Sequence, residues 1–222
     1  MEQAPMVLIG MFDSPFVRRV AVSLVLLGLP FEHRNWSVGR DFERIREFNP
    51  LGRVPTLVLP DGEVLLESAA ILDFLDEQVG ASRALLPTAG AGAGTARRDA
   101  LRLMAIACGA AEKGVLQIYE RVFRPEEKRH EPWVARCSGQ MHGALAELER
   151  AAALRATSSP AGWLVGAAMT QADVTVACVV TFLREALGVD LQGEIYPTLA
   201  GHNRRCEALA AFQTIRADFS PP

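Results

Sequence analysis

The sequence predicts two domains, an α/β domain followed by an all-helical one, and three observations carry that prediction. The first eighty residues alternate short apolar strand-like runs with helix-like stretches, separated by Gly and Pro punctuation. Residues 89–94 are an unbroken alternation of Ala and Gly, which reads as the end of a linker. Beyond it no run alternates with the two-residue period of a half-buried strand, and four long stretches fit the helical period. The predicted organisation is a first domain over residues 1–80, a linker over 81–94 and a helical domain over 95–222, placed on the change of composition.

Each element has a local reason. Residues 7–10 are a short apolar strand. Ser14-Pro15 opens a helix, because Ser favours the N-cap and Pro the first helical position. Gly28 and Pro30 stop that helix after Leu27. Residues 31–36 read as the next strand and 41–48 as a short polar helix, ended by Asn49-Pro50-Leu51-Gly52. Residues 54–59 and 63–66 are strands joined by Pro60-Asp61-Gly62, short enough for a hairpin. A helix over 68–79, with Ser68 as N-cap, has Ile71, Leu72, Phe74 and Leu75 on its apolar side. A parallel pair, an antiparallel hairpin and helices packed on them make an α/β layer. The later helices are expected over 95–122, 132–154, 171–187 and 198–212.

Composition narrows the function. Half of the 222 residues are hydrophobic, 22% are charged and the net charge is −3, as in a soluble globular chain. No block of Lys and Arg exceeds a pair, which argues against nucleic acid or an anionic membrane as the main partner. The longest apolar runs, 20–29 and 172–183, are too short to span a bilayer. The residues before Val7 do not read as a signal peptide. Cys108, Cys137, Cys178 and Cys206 lie far apart and form no C-x-x-C, the pattern of neither a disulfide framework nor a metal site. Reduced thiols in a cytoplasmic setting fit this usage.

Three segments carry chemistry. Ser14-Pro15-Phe16-Val17-Arg18-Arg19 places a hydroxyl at a helix start, among free N–H groups and the positive end of the helix dipole. It is a simple cap or an anion site. In Arg53-Val54-Pro55-Thr56 a cis bond before Pro55 would turn the N–H and C=O of Val54 outward, toward a peptide-like ligand; a trans bond would not. Glu67-Ser68 begins a third helix, as a capped exposed start or as a cradle in which Ser68 holds a carboxylate and Glu67 an ammonium. The three features sit at successive junctions between elements. Together they suit a thiolate, a peptide backbone and a free α-amino-acid end, and glutathione has all three.

With these motifs the sequence resembles the soluble, cytosolic glutathione transferases over essentially its full length, as a serine-type bacterial member. The segments S-P-F-V-R-R, N-P-L-G-R-V-P-T-L and L-E-S-A-A-I-L-D-F-L are similar to the family's glutathione-site motifs. Gly162-Trp163-Leu164-Val165-Gly166 with Thr170-Gln171-Ala172-Asp173-Val174 is similar to its helical-domain signature. The latter also reads as a capping box from Thr170 to Asp173, with Met169 and Val174 as the hydrophobic staple, and so as a folding motif.

The resemblance implies a thioredoxin-like first domain, a cis Pro55 and a homodimer with a detoxifying transferase activity. It implies that Ser14 hydrogen-bonds the glutathione sulfur and that Val54 pairs with the cysteinyl part. Glu67 and Ser68 would hold the γ-glutamyl end, Arg53 the glycyl carboxylate, and Phe16 would pack beside the tripeptide. Arg18 would face solvent or a neighbouring carboxylate. Glutathione is the co-substrate, and no metal is implied. The acceptor site is expected between the domains, lined by Met11, Phe12, Phe16 and the helix over 108–119, with Phe212 and Phe219 closing it. A non-enzymatic glutathione binder, a glutathione-dependent isomerase and a thiol-disulfide oxidoreductase remain alternatives on the same fold. Serine cannot itself form the mixed disulfide that the last would need.

Overall fold

The computed structural model describes residues 4–88, 94–158, 162–190 and 195–222. The first domain runs β1 (Met6–Ile9), α1 (Pro15–Leu27), β2 (Phe31–Arg34), α2 (Phe42–Arg46), β3 (Thr56–Val58), β4 (Val64–Leu66) and α3 (Ser68–Val79). The sheet order is β2-β1-β3-β4. β1 and β2 are parallel, with Met6 opposite Phe31, as strands joined by a crossover helix can be. β3 runs antiparallel to β1 and to β4, with Leu57 between Leu8 and Leu65. α1 ends as its sequence dictates. Gly28 adopts the left-handed conformation, and the N–H groups of Gly28 and Leu29 close on the carbonyls of Val25 and Leu24, a Schellman motif.

The helical domain contains α4 (Ala96–Val122), α5 (Glu131–Ser158), α6 (Gln171–Leu187), α7 (Pro197–Glu207) and α8 (Ala210–Thr214), with a 3-10 turn at Glu126–Lys128. Every residue of α6 from Gln171 to Leu183 is buried, as befits a helix without a polar face. α6 packs on α4 within its own domain and on α1 of the first. One hydrophobic core joins α4, α5 and α6. The other continues from Leu8, Val20, Leu57 and Leu75 of the first domain to Cys178 and Phe212 of the second. The two domains therefore share buried apolar surface. No helix among the described residues is long and apolar enough to cross a membrane.

Three local expectations are corrected. The helix expected over 198–212 is two helices, because Leu209 is extended (φ −77°, ψ 142°) and starts α8 afresh. Ser68 is the first helical residue and does not cap α3. Glu67 stands at the cap position with φ 64°, and the Ser68 hydroxyl is taken by Arg19. The strands expected over 31–36 and 54–59 pair only over Phe31–Arg34 and Thr56–Val58. Of the expected linker over 81–94, residues 89–93 lie outside the described residues. Its earlier part is tied down, since Leu85 and Leu86 donate their N–H groups to the Asp76 carboxylate at 2.8 and 2.9 Å.

Candidate active site

A cavity of about 440 Å³ opens between the domains. Met11, Asp13, Ser14, Phe16, Val38, Arg53 and Val54 form its wall on the first domain. α4 contributes Glu112, Val115, Leu116, Ile118 and Tyr119, α6 contributes Phe182, and Phe219 and Ser220 come from the segment after α8.

Ser14 stands where β1 hands the chain to α1. Gly10, just after β1, permits this geometry: a Cβ there would lie 2.5 Å from a Val17 methyl and 2.8 Å from the Val54 Cβ. The chain can thus bring α1 and the Val54 loop together only with glycine at that point. The Ser14 carbonyl accepts the Arg18 N–H at 2.8 Å, while its side chain makes no capping hydrogen bond. The hydroxyl is therefore left for the cavity. The first-turn amides of Phe16 and Val17 lie beside it without helical acceptors, at the positive end of the helix dipole.

The Val54–Pro55 bond is cis. Val54 lines the cavity before β3 begins, and no hydrogen bond engages its N–H or carbonyl among the described residues. Asn49, 2% exposed, holds this loop in place: its amide donates to the Arg53 carbonyl at 2.8 Å and its oxygen accepts the Leu51 N–H at 3.0 Å. Arg53 is exposed and lies 3.6 Å from the equally exposed Glu67 carboxylate. Such a pair contributes about 0–1 kcal/mol and exchanges partners at little cost. Glu67 is the one non-glycine residue with positive φ among the described residues, a conformation costing on the order of 1–3 kcal/mol and typical of functional sites.

Behind it Ser68 is buried, and its oxygen accepts from Arg19 Nε at 3.1 Å and Nη2 at 2.6 Å. Both lone pairs are thereby used, so the hydroxyl hydrogen must point to another acceptor. Arg19 is 3% exposed and has no carboxylate partner among the described residues; its remaining bonds reach Cys108 Sγ at 3.1 Å and Thr175 Oγ1 at 3.5 Å. Burial lowers its pKa, and the nearby Cys108, Cys178 and Glu67 oppose that shift. A buried guanidinium without a counter-ion is an expensive arrangement that an arriving anion would relieve. Arg18, its neighbour, points elsewhere: it is buried and forms a bidentate pair with Glu207 at 2.6 and 2.7 Å. Of the two surroundings expected for Arg18, the neighbouring carboxylate is the one found.

The structure thus gathers Ser14, Phe16, Arg53 and Val54 on one cavity wall. Glu67 adjoins them through Arg53 and Ser68 follows it, while Pro55, Glu67 and Ser68 lie outside the lining. Of the residues expected around the acceptor, Met11, Phe219 and the later part of the helix face line the cavity. Phe12 does not, because it stacks on His33 with ring centroids 3.6 Å apart. Phe212 does not either: it is fully buried in the shared core. Cys108, at the start of that helix face, turns to Arg19. Sequence reasoning missed Asp13, Val38, Phe182, Asn49 and Arg19. Of these, Asn49 lies in the Asn-Pro-Leu-Gly turn and Arg19 at the end of the Ser14–Arg19 motif; the other three carried no signal.

The model of the glutathione S-transferase N-terminal domain matches residues 8–83, and that of the C-terminal domain matches residues 131–205. The uncharacterized GST-like protein YibF of Escherichia coli is 28% identical over 189 residues, covering 80% of this chain and 82% of that protein. Among solved structures, a glutathione S-transferase from Methylobacterium radiotolerans in complex with glutathione sulfonate superposes with a TM-score of 0.86. It is 28% identical, over 98% of this chain and 97% of that one. A glutathione transferase family member from Pseudomonas fluorescens with bound glutathione gives 0.80 at 29% identity, over 96% and 100%. With both domain models matched in order, and this fold shared along nearly its whole length, the chain belongs to the glutathione S-transferase family.

Proposed function

We propose that this chain is an active glutathione S-transferase, in which Ser14 holds the glutathione thiol as a thiolate for attack on a hydrophobic electrophile. The observation that carries the reading is the Ser14 hydroxyl, uncommitted to capping, at the start of α1 and on the wall of an apolar cavity. A hydroxyl donating to sulfur favours the charged form, and the helix N-terminus acts in the same sense. A free thiol, with a pKa near 8.5, is only a few per cent ionised at pH 7; lowering it by about two units leaves most of it as thiolate. The sulfur then forms a bond to the electrophilic carbon while the leaving group departs or a conjugated double bond takes up the electron pair.

Val54 would meet the cysteinyl backbone. Ser68, its hydrogen turned away from Arg19, and Glu67 would meet the γ-glutamyl end, and Arg53 would exchange Glu67 for the glycyl carboxylate. Phe16 would pack beside the tripeptide. The relatives solved with glutathione or its sulfonate support glutathione as the ligand. The reading includes a detoxifying role in the cytoplasm and a homodimer, which a dimeric mass by light scattering at micromolar concentration would establish and a strictly monomeric mass would refute.

Thiol-disulfide exchange is the weaker reading. Ser14 offers no thiol, and burial pushes Cys178 up to about 12 and Cys108 and Cys206 upward as well, so none of these three is an activated nucleophile. The direct test is thermal protection. Glutathione at a hundred times its Kd should add about 2.7 kcal/mol. In a chain of this size that raises Tm by roughly 5–10 °C. No shift at several millimolar glutathione would rule the proposal out.

A further inference from the structure

Asp13 is the one acidic residue that the first domain places on the cavity lining. Its Oδ2 accepts the Ser220 N–H at 2.9 Å, and so tethers the segment that brings Phe219 over the cavity. Phe219 in turn packs edge-on against Phe182, with ring centroids 6.0 Å apart. The other carboxylate oxygen, Oδ1, is sealed from solvent and has no hydrogen-bond partner among the described residues. Burial raises the pKa of this carboxyl, while the N–H groups of Ser220, of Asp13 itself and of Ser14 favour its charged form; the charged neighbour, Glu185, has the same sign.

The remaining charges on the lining do not offset it. Glu112 is also acidic. Arg53 is paired with Glu67 and, in the reading above, is committed to the tripeptide. An acceptor molecule entering beside glutathione therefore meets Met11, Phe16, Val115 and Phe182, together with the Asp13 carboxylate, which has no cation partner among the described residues.

We propose that Asp13 is a specificity-determining residue of the acceptor site, which selects neutral apolar electrophiles and excludes those carrying a carboxylate. The proposal rests on the transferase reading. Two like charges about 7 Å apart, at an effective dielectric constant of about 20, repel strongly enough for a penalty of tenfold or more. The apolar lining disfavours a carboxylate as well, through lost hydration. The diagnostic quantity is therefore the part of the discrimination that depends on residue 13.

The probes are S-hexylglutathione and S-(5-carboxypentyl)glutathione. They share the tripeptide and are thioethers, so no thiol ionisation enters. Their dissociation constants would be measured by calorimetry at pH 7.5 for wild type, Asp13→Asn, Asp13→Glu and Asp13→Ala. Wild type is expected to bind the neutral conjugate at least about tenfold more tightly. Asparagine keeps an oxygen for the Ser220 N–H but loses the charge, so the ratio should shrink roughly fivefold in Asp13→Asn and persist in Asp13→Glu. Alanine loses charge and tether together, and should lower the ratio at least as far. An unchanged ratio in Asp13→Asn, or a fall confined to Asp13→Ala, overturns the proposal. Failure of wild type to bind either conjugate or glutathione overturns the transferase reading, and this proposal with it.

Discussion

Replacing Ser14 with alanine is expected to slow conjugation by about ten- to a hundredfold at pH values below the thiol pKa of both proteins, because a hydrogen bond to a charged group is worth about 1.5–3 kcal/mol. The sign follows from which form the hydroxyl favours. Donation to the thiolate lowers the bound thiol's pKa, and removing the donor raises it. The deficit is therefore complete at low pH, shrinks between the two pKa values, and narrows further above both, where each protein holds thiolate. Tripeptide affinity should change little, since the proposed function gives its other parts to Val54, Ser68, Glu67 and Arg53. A purely structural Ser14 predicts something else: a stability loss near 1 kcal/mol, as for a lost cap, and an unshifted profile. The Ser14 side chain makes no capping hydrogen bond, so even that loss should be small. Parallel pH profiles of conjugation for the two proteins, with folding verified by circular dichroism, decide between these outcomes.

Asp173→Ala is expected to destabilise the fold by about 3–5 kcal/mol, well beyond the roughly 1 kcal/mol of an ordinary cap residue. Asp173 is fully buried. Its Oδ2 accepts the Thr170 N–H at 2.8 Å and the Thr170 hydroxyl at 2.9 Å, and its Oδ1 accepts the Leu164 N–H at 2.8 Å. Alanine leaves these donors buried without their acceptor, at about 1–3 kcal/mol for each group that water does not reach. The carboxylate thus pins the loop at Leu164 to the start of α6, the helix wedged between the two cores. Against a total stability of about 5–15 kcal/mol the loss is severe, with a fall in Tm of roughly 10–15 °C. Thr170→Ala should cost nearer 1 kcal/mol. Glutathione affinity of the folded fraction should be preserved in both. A stable Asp173→Ala protein that has lost glutathione would contradict this assignment.

The capping box was legible because Thr-x-x-Asp is a local pattern; the Leu164 contact that enlarges its role was not. The same division runs through the molecule. Gly28 with Pro30, the Asn49-Pro50-Leu51-Gly52 turn and Pro60-Asp61-Gly62 punctuate the first domain, so its order of elements could be read directly. The break between α7 and α8 could not. Ala208-Leu209-Ala210-Ala211 are good helix formers, and the break is supported from afar by Arg18, which donates to the carbonyls of Phe212 and Ile215 at 3.2 and 3.1 Å. Arg18 and Arg19 look equivalent in sequence, but adjacent helical positions point about 100° apart. One meets Glu207 and the other Ser68. The positive φ of Glu67 has no sequence signal in a non-glycine residue, and it moved Ser68 from cap to first helical position. Phe182 is hidden in an apolar run that reads as core throughout, and Asp13 reads as a loop residue until the segment bearing Ser220 folds back on it.

The most direct test of the account is the ionisation of glutathione bound to the protein, followed by the ultraviolet absorbance of its thiolate as pH is varied. The account predicts a midpoint about two units below the free thiol's 8.5 for the wild-type complex, and a higher midpoint in Ser14→Ala. A wild-type midpoint equal to that of free glutathione, or the same depressed midpoint in both proteins, would contradict the role assigned to Ser14.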